Sequence, residues 1–142
     1  MLALIALHTC SIFDAGPRAR DLTFEVREVD YWGPTPQIVL LVQDDQVYPC
    51  MNYQIESDLS IQDHSIRVAM TGAIQKPEGC LAAIGPAIYR TALGIGNGAY
   101  ELEFARQGLT DRYVISVTEI AVQITTRESH FTRPAARSFP RL

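Results

Sequence analysis

The strictest constraint on this chain is an apolar alternation that changes parity across one short turn. Met51, Tyr53, Ile55, Leu59 and Ile61 are apolar at odd positions, with Ser57 the one interruption. Asn52, Gln54, Glu56, Asp58 and Ser60 fill the even positions. Beyond Gln62-Asp63-His64-Ser65, a turn composition, the apolar residues Ile66, Val68, Met70 and Ile74 are all even. A period of two marks a strand with one buried face, and two such runs around a short turn make a β-hairpin. If Ile61 faces Ile66, paired numbers sum to 127, so Leu59 faces Val68, Ser57 faces Met70 and Tyr53 faces Ile74. Inward residues then meet inward residues, a match that a slip of one residue destroys.

The same period recurs along the chain. Leu22, Phe24 and Val26 alternate with polar neighbours, and Val29 and Tyr31 continue in the other phase, which predicts a β-bulge at Arg27-Glu28. Trp32-Gly33-Pro34-Thr35-Pro36 is a loop, because neither proline fits a central strand. Ile38 to Val42 is a continuous apolar run, consistent with a strand buried on both faces. Strands are expected at 22–31, 37–43, 50–62, 65–75, 87–93, 99–106 and 112–125. No window keeps a helical period over ten residues. Short strands at such regular spacing predict an all-β fold, an antiparallel sandwich of about seven strands. The expected domain covers 22–126, between an N-terminal segment and linker (1–21) and a basic tail (127–142).

Leu93, Gly98 and Tyr100, just before the sixth expected strand, resemble the tyrosine corner of the immunoglobulin-like β-sandwich superfamily. That resemblance implies an immunoglobulin-like architecture with Tyr100 as a structural residue whose hydroxyl bonds back to the corner. The buried Trp and inter-sheet cysteine pair of antibody domains are missing. The likeness concerns architecture only, since a fold does not fix a function.

In the hairpin register Cys50 faces Pro77, and Cys80 lies three residues further, past a turn. That spacing places Cys50 and Cys80 within reach of a disulfide stapling the open end of the hairpin, and disulfides persist in oxidising compartments. The other reading is two reduced, buried thiols acting as small apolar side chains. Leu2-Ala3-Leu4-Ile5-Ala6-Leu7, followed by His8, Thr9 and Cys10, resembles the end of a bacterial lipoprotein signal, with Leu7 three positions before the cysteine. The resemblance implies a lipid on Cys10 and a place in the bacterial cell envelope. The basic start of a secretory signal is missing, and an N-terminal strand packed on the sandwich is the competing reading.

Charge narrows the partners. Arg127, Arg133, Arg137 and Arg141 against Glu128 give residues 127–142 a charge of +3, leaving −7 on the rest of a chain whose formal net charge is −4. An acidic body repels phosphate backbones, so no nucleic-acid partner is expected. The basic segment is read as a solvated end or as one docked on an acidic surface. His8, His64 and His130 lack ligands at metal spacing, and no metal or other cofactor is expected. Gly94 to Ala99 formally matches Gly-x-Gly-x-x-Ala, but Tyr100, Leu102 and Phe104 behind it read as a strand instead of the helix that motif needs. No catalytic residue is assigned.

Trp32, the single tryptophan, sits beside Tyr31 in the Pro-braced loop, and Tyr48-Pro49 opens another loop. Rigid loop aromatics are characteristic contact residues, so Tyr31, Trp32 and Tyr48 are the candidate binding residues. The leading expectation is a non-enzymatic module, envelope-associated or secreted, that binds a protein or a glycan and touches a membrane only through a lipid on Cys10. An intracellular, cytoplasmic interaction or assembly domain with reduced cysteines is the alternative, followed by a sandwich-fold hydrolase.

Overall fold

The alternating segments become strands because each buries one face against a shared interior. A computed structural model of the chain describes residues 18–19 and 21–142. Its strands are β1 (Leu22–Val29), β2 (Gln37–Tyr48), β3 (Gln54–Gln62), β4 (Ser65–Gln75), β5 (Gly85–Ala92), β6 (Gly98–Arg106), β7 (Leu109–Val117), β8 (Ala121–Glu128), β9 (Thr132–Pro134) and β10 (Ser138–Pro140). No helix occurs among the described residues. The fold is all-β, and the strands join in one sheet in the order β10-β8-β7-β6-β4-β3-β5-β2-β1-β9.

That arrangement differs from seven antiparallel strands in three ways. The sheet is mixed, because β4 pairs parallel with β6, β3 with β5 and β1 with β9. The stretch expected as one strand over 112–125 is the hairpin of β7 and β8. The Thr118 hydroxyl accepts from the amides of Ile120 and Ala121 and closes the turn, so Val117 faces Val122. The apolar alternation slips here from Tyr113, Ile115 and Val117 to Ile120, Val122 and Ile124; a turn and a bulge produce the same phase slip, and no glycine or proline marks this turn. Finally, residues 127–142 are built into the sheet through the end of β8 and through β9 and β10. The Ile124 amide donates to the Arg137 carbonyl at 2.8 Å, and the Ala135 amide donates to the Phe24 carbonyl, also at 2.8 Å.

The β3–β4 hairpin has the expected register from Gln62↔Ser65 to Ser57↔Met70. It then shifts by two residues, so Ile55 instead of Tyr53 faces Ile74. The surplus lies on β4 around Gly72, whose φ of +85° is a left-handed conformation that glycine adopts without a Cβ penalty. The amide of Ala19 caps this bulge by donating to the Gly72 carbonyl at 2.8 Å. The bulge expected at Arg27-Glu28 is not formed: β1 and β2 pair without interruption from Leu22↔Asp44 to Val29↔Gln37.

Curling of the sheet brings distant strands together. Phe24 of β1 meets Phe104 of β6 and Tyr113 of β7 with ring centroids 4.9 and 4.7 Å apart. Around them Val26, Leu40, Val42, Ile66, Val68, Leu102, Ile115 and Val122 are fully buried. In β2 the whole run Ile38 to Val42 is buried, as a strand covered on both faces requires.

Candidate functional site

The strand register sorts the loops into two ends. At one end lie the β1–β2 loop (30–36), the β3–β4 turn (63–64), the β5–β6 loop (93–97) and the β7–β8 turn (118–120). At the other lie the β2–β3 and β4–β5 connections, joined by the Cys50–Cys80 disulfide with Cα atoms 5.3 Å apart. The twelve residues of β2 separate the ends by about 35 Å at the usual strand rise.

The sheet edges meet at the first end, and one side chain holds the loops there. Arg141, just past β10, donates to the Glu28 carboxylate at 2.7 Å, the Asn97 side-chain oxygen at 2.7 Å and the Thr118 carbonyl at 2.9 Å. Its amide donates to the Ile120 carbonyl at 2.9 Å. The Leu142 amide adds a bond to the second Glu28 oxygen at 3.0 Å. Glu28 occupies a core-facing position at the end of β1, and these donors hold its carboxyl below the usual range; the Arg141 hydrogen bond is the main cause and the Leu142 amide the next. The hydrogen bond to Glu28 in turn raises the Arg141 guanidinium. One residue thereby fixes the base of the β1–β2 loop, the β5–β6 loop and the β7–β8 turn against one another.

Apolar side chains stand out from this frame. Tyr31 is 62% exposed, Trp32 40%, Ile120 79% and Leu142 75%. Trp32 and Tyr48, expected as partners in one surface, lie at opposite ends of β2. Tyr48 is only 4% exposed. It stacks on Tyr53 at 4.8 Å and donates its hydroxyl to Asp44 at 2.8 Å. It is a core residue, because β2 runs five residues beyond its expected end and carries Tyr48 inward. Tyr100 donates its hydroxyl to the Gly96 carbonyl at 3.0 Å and packs against His64, bracing the β5–β6 loop. Cys10 lies outside the described residues. Ile120, Leu142 and the Glu28–Arg141 pair were not singled out from the sequence; the phase slip after Val117 was the one local signal pointing to an exposed turn at Ile120.

Two polar clusters elsewhere are structural. The buried Asp111 carboxylate accepts from the amides of His130, Phe131 and Thr132 and from the Thr132 hydroxyl, anchoring the segment that leads from β8 to β9. Burial beside it pushes the Tyr113 phenol up, and that hydroxyl donates to the Thr132 carbonyl at 2.8 Å. On the outer face Arg67, Glu103, Arg112 and Glu128 are register partners and form an ion-pair ladder at 3.0–3.2 Å. Glu103 is therefore neutralised from both sides by arginine. No group of three or more His, Cys, Asp or Glu among the described residues is arranged to hold a metal.

The disulfide end also exposes apolar residues: Val47, Met51, Leu81 and Ile84. Beside it a depression of about 580 Å³ is lined by Asn52, Gln54, Gln75, Lys76, Pro77 and Glu78. Both polar ends of the Asn52 amide are already bonded within the loop, to the Gly79 carbonyl and the Leu81 amide.

These features define a class, an all-β module of one curled mixed sheet with aromatic end loops. No protein-family model, no curated protein and no solved structure matches the chain.

Proposed function

We propose that this protein is a non-enzymatic binding module of the cell envelope or the secreted fraction, and that it engages a protein partner through the Tyr31–Trp32 loop. The observation that carries the reading is an exposed aromatic pair on a Pro-braced loop whose base is locked by the Glu28–Arg141 bond. A rigid loop loses little entropy on binding, and Tyr and Trp contribute large contact areas for few rotatable bonds. The Cys50–Cys80 disulfide supports an oxidising compartment. The likeness to the immunoglobulin-like superfamily rests on the Tyr100 corner and adds nothing to the function.

The test is crosslinked affinity capture from envelope and culture-medium fractions of the native host. Wild type, Trp32→Ala and the control pair Leu81→Ala/Ile84→Ala at the disulfide end are compared. Trp32→Ala is expected to lose a partner that wild type and control retain. Retention of every partner by Trp32→Ala removes the loop from the function.

A further inference from the structure

Among the described residues, the loops at the Trp32 end carry acidic side chains and no lysine or arginine. Asp30 and Asp63 are exposed, and the exposed Glu119 lies next to Ile120, its carboxylate accepting from the Asn97 amide at 2.6 Å. Across residues 28–37, 62–65, 93–98 and 118–120 there is no lysine or arginine. Arg141, which reaches this end from just past β10, is occupied by Glu28, Asn97 and the Thr118 carbonyl, and Arg27, one residue before the loop base, is paired with Glu25 at 3.1 Å. The disulfide end differs, with Lys76 beside Glu78 at its depression and Arg18 bridged to Ala73 at the end of β4. Trp32 and Ile120 are therefore apolar contacts inside an acidic rim, whereas Val47, Met51, Leu81 and Ile84 have a rim of mixed sign.

We infer that the Tyr31, Trp32, Ile120 and Leu142 surface docks a protein partner whose apolar cleft is bordered by lysine and arginine. This rests on the binding reading above and adds the chemistry of the partner. Apolar side chains supply the contact area, while Asp30 and Glu119 select the partner's charge and repel acidic surfaces. Arg141 is a positioning residue: bonded at 2.7 Å to both Glu28 and Asn97, it sets the two halves of the surface at a fixed separation. A fixed separation matters because long-lived contacts require both apolar groups to seat at once.

The single tryptophan makes the site its own reporter. The full chain is titrated with a helical Lys/Leu peptide and, separately, with Gln/Leu and Glu/Leu peptides of the same length, while Trp32 emission is followed. The Lys/Leu peptide is expected to shift the emission to the blue. Its affinity is expected to fall about tenfold between about 50 and about 500 mM NaCl, where the Debye length drops from about 14 to about 4 Å. Asp30→Lys/Glu119→Lys is expected to abolish the shift, and the charge-matched control Glu56→Lys/Asp58→Lys, on the exposed face of β3, to keep it. Arg141→Ala is expected to weaken it and Arg141→Lys to restore it in part. An equal response to all three peptides, no response to the Lys/Leu peptide, or persistence in Asp30→Lys/Glu119→Lys overturns the inference. The binding reading is judged separately by partner capture with Trp32→Ala, so a neutral or acidic partner captured through Trp32 overturns this inference alone.

Discussion

Glu28 occupies the kind of position where a carboxylate is normally unwelcome, facing inward at the end of β1. It is stable there because Arg141 and the Leu142 amide satisfy both oxygens. Removing one member leaves the other half-buried and short of partners, which costs more than the pair contributes net. The pair also carries a pH signature. The folded carboxyl titrates below its ordinary value of 4.5, chiefly because of the Arg141 hydrogen bond. Between the folded and unfolded values the unfolded chain binds more protons. The contribution of Glu28 is therefore fully present above the ordinary carboxylate value and is lost as pH falls through the folded value. Glu28→Gln is expected to lower the melting temperature by about 3–6 °C at neutral pH. The gap from wild type should close in acid, below the folded value. A gap independent of pH, read by thermal melts across the acidic range, would refute the pairing.

At the scale of elements, the β3–β4 hairpin and its disulfide form one unit. The two-residue shift at Gly72 changes the register that leads to the bridge: Gln54↔Gln75 and Ile55↔Ile74 sum to 129 instead of 127, and continuing that sum past the strand ends would set Cys50 opposite Gly79 instead of Pro77. A shift in that direction favours the approach of Cys80 to Cys50, whose Cα atoms lie 5.3 Å apart. The bridge spans 30 residues, and closing a loop of that size stabilises by about 3–4 kcal/mol in the chain-entropy model. Cys50→Ser/Cys80→Ser is expected to lose about that much unfolding free energy in urea, with far-UV circular dichroism unchanged, because the strands on either side keep their own ladders. A loss under about 1 kcal/mol would mean that the open end of the hairpin is held by its apolar contacts.

For the whole molecule, the decisive step is closure of the curled sheet. The chain leaves β8, lays β9 beside β1, crosses over and returns β10 to β8. Two exposed strand edges are thereby covered by three-residue strands, which matters because an open edge invites pairing with another chain. Ending the chain after Arg137 removes β10 together with the Arg141 bonds. That variant is expected to melt several degrees lower and to self-associate through the β8 edge, with the mass rising with concentration in light scattering. A monomer with unchanged melting temperature would show that β10 covers nothing of consequence.

How much was legible follows from the range of each interaction. The all-β class and the register of the hairpin near its turn come from patterns that repeat every second residue, so the sequence alone determined them; the spacing of Cys50 and Cys80 pointed to a bridge, but the register at that end depends on the bulge at Gly72. The β7–β8 turn was half legible, since its phase slip was visible but its meaning was not. Tyr48 was misplaced because loop chemistry at Pro49 says nothing about how far inward a neighbouring strand runs. Parallel pairing of β4 with β6, the crossing to β9 and the Glu28–Arg141 bond join residues far apart in the chain, 113 positions in the last case. No local period encodes such a match, because it depends on how far the sheet curls, and the curl is set by packing Phe24 against Phe104 and Tyr113. The sequence by itself determined which residues face inward along most strands; only the tertiary structure decided which strands meet, and so which exposed side chains share an end.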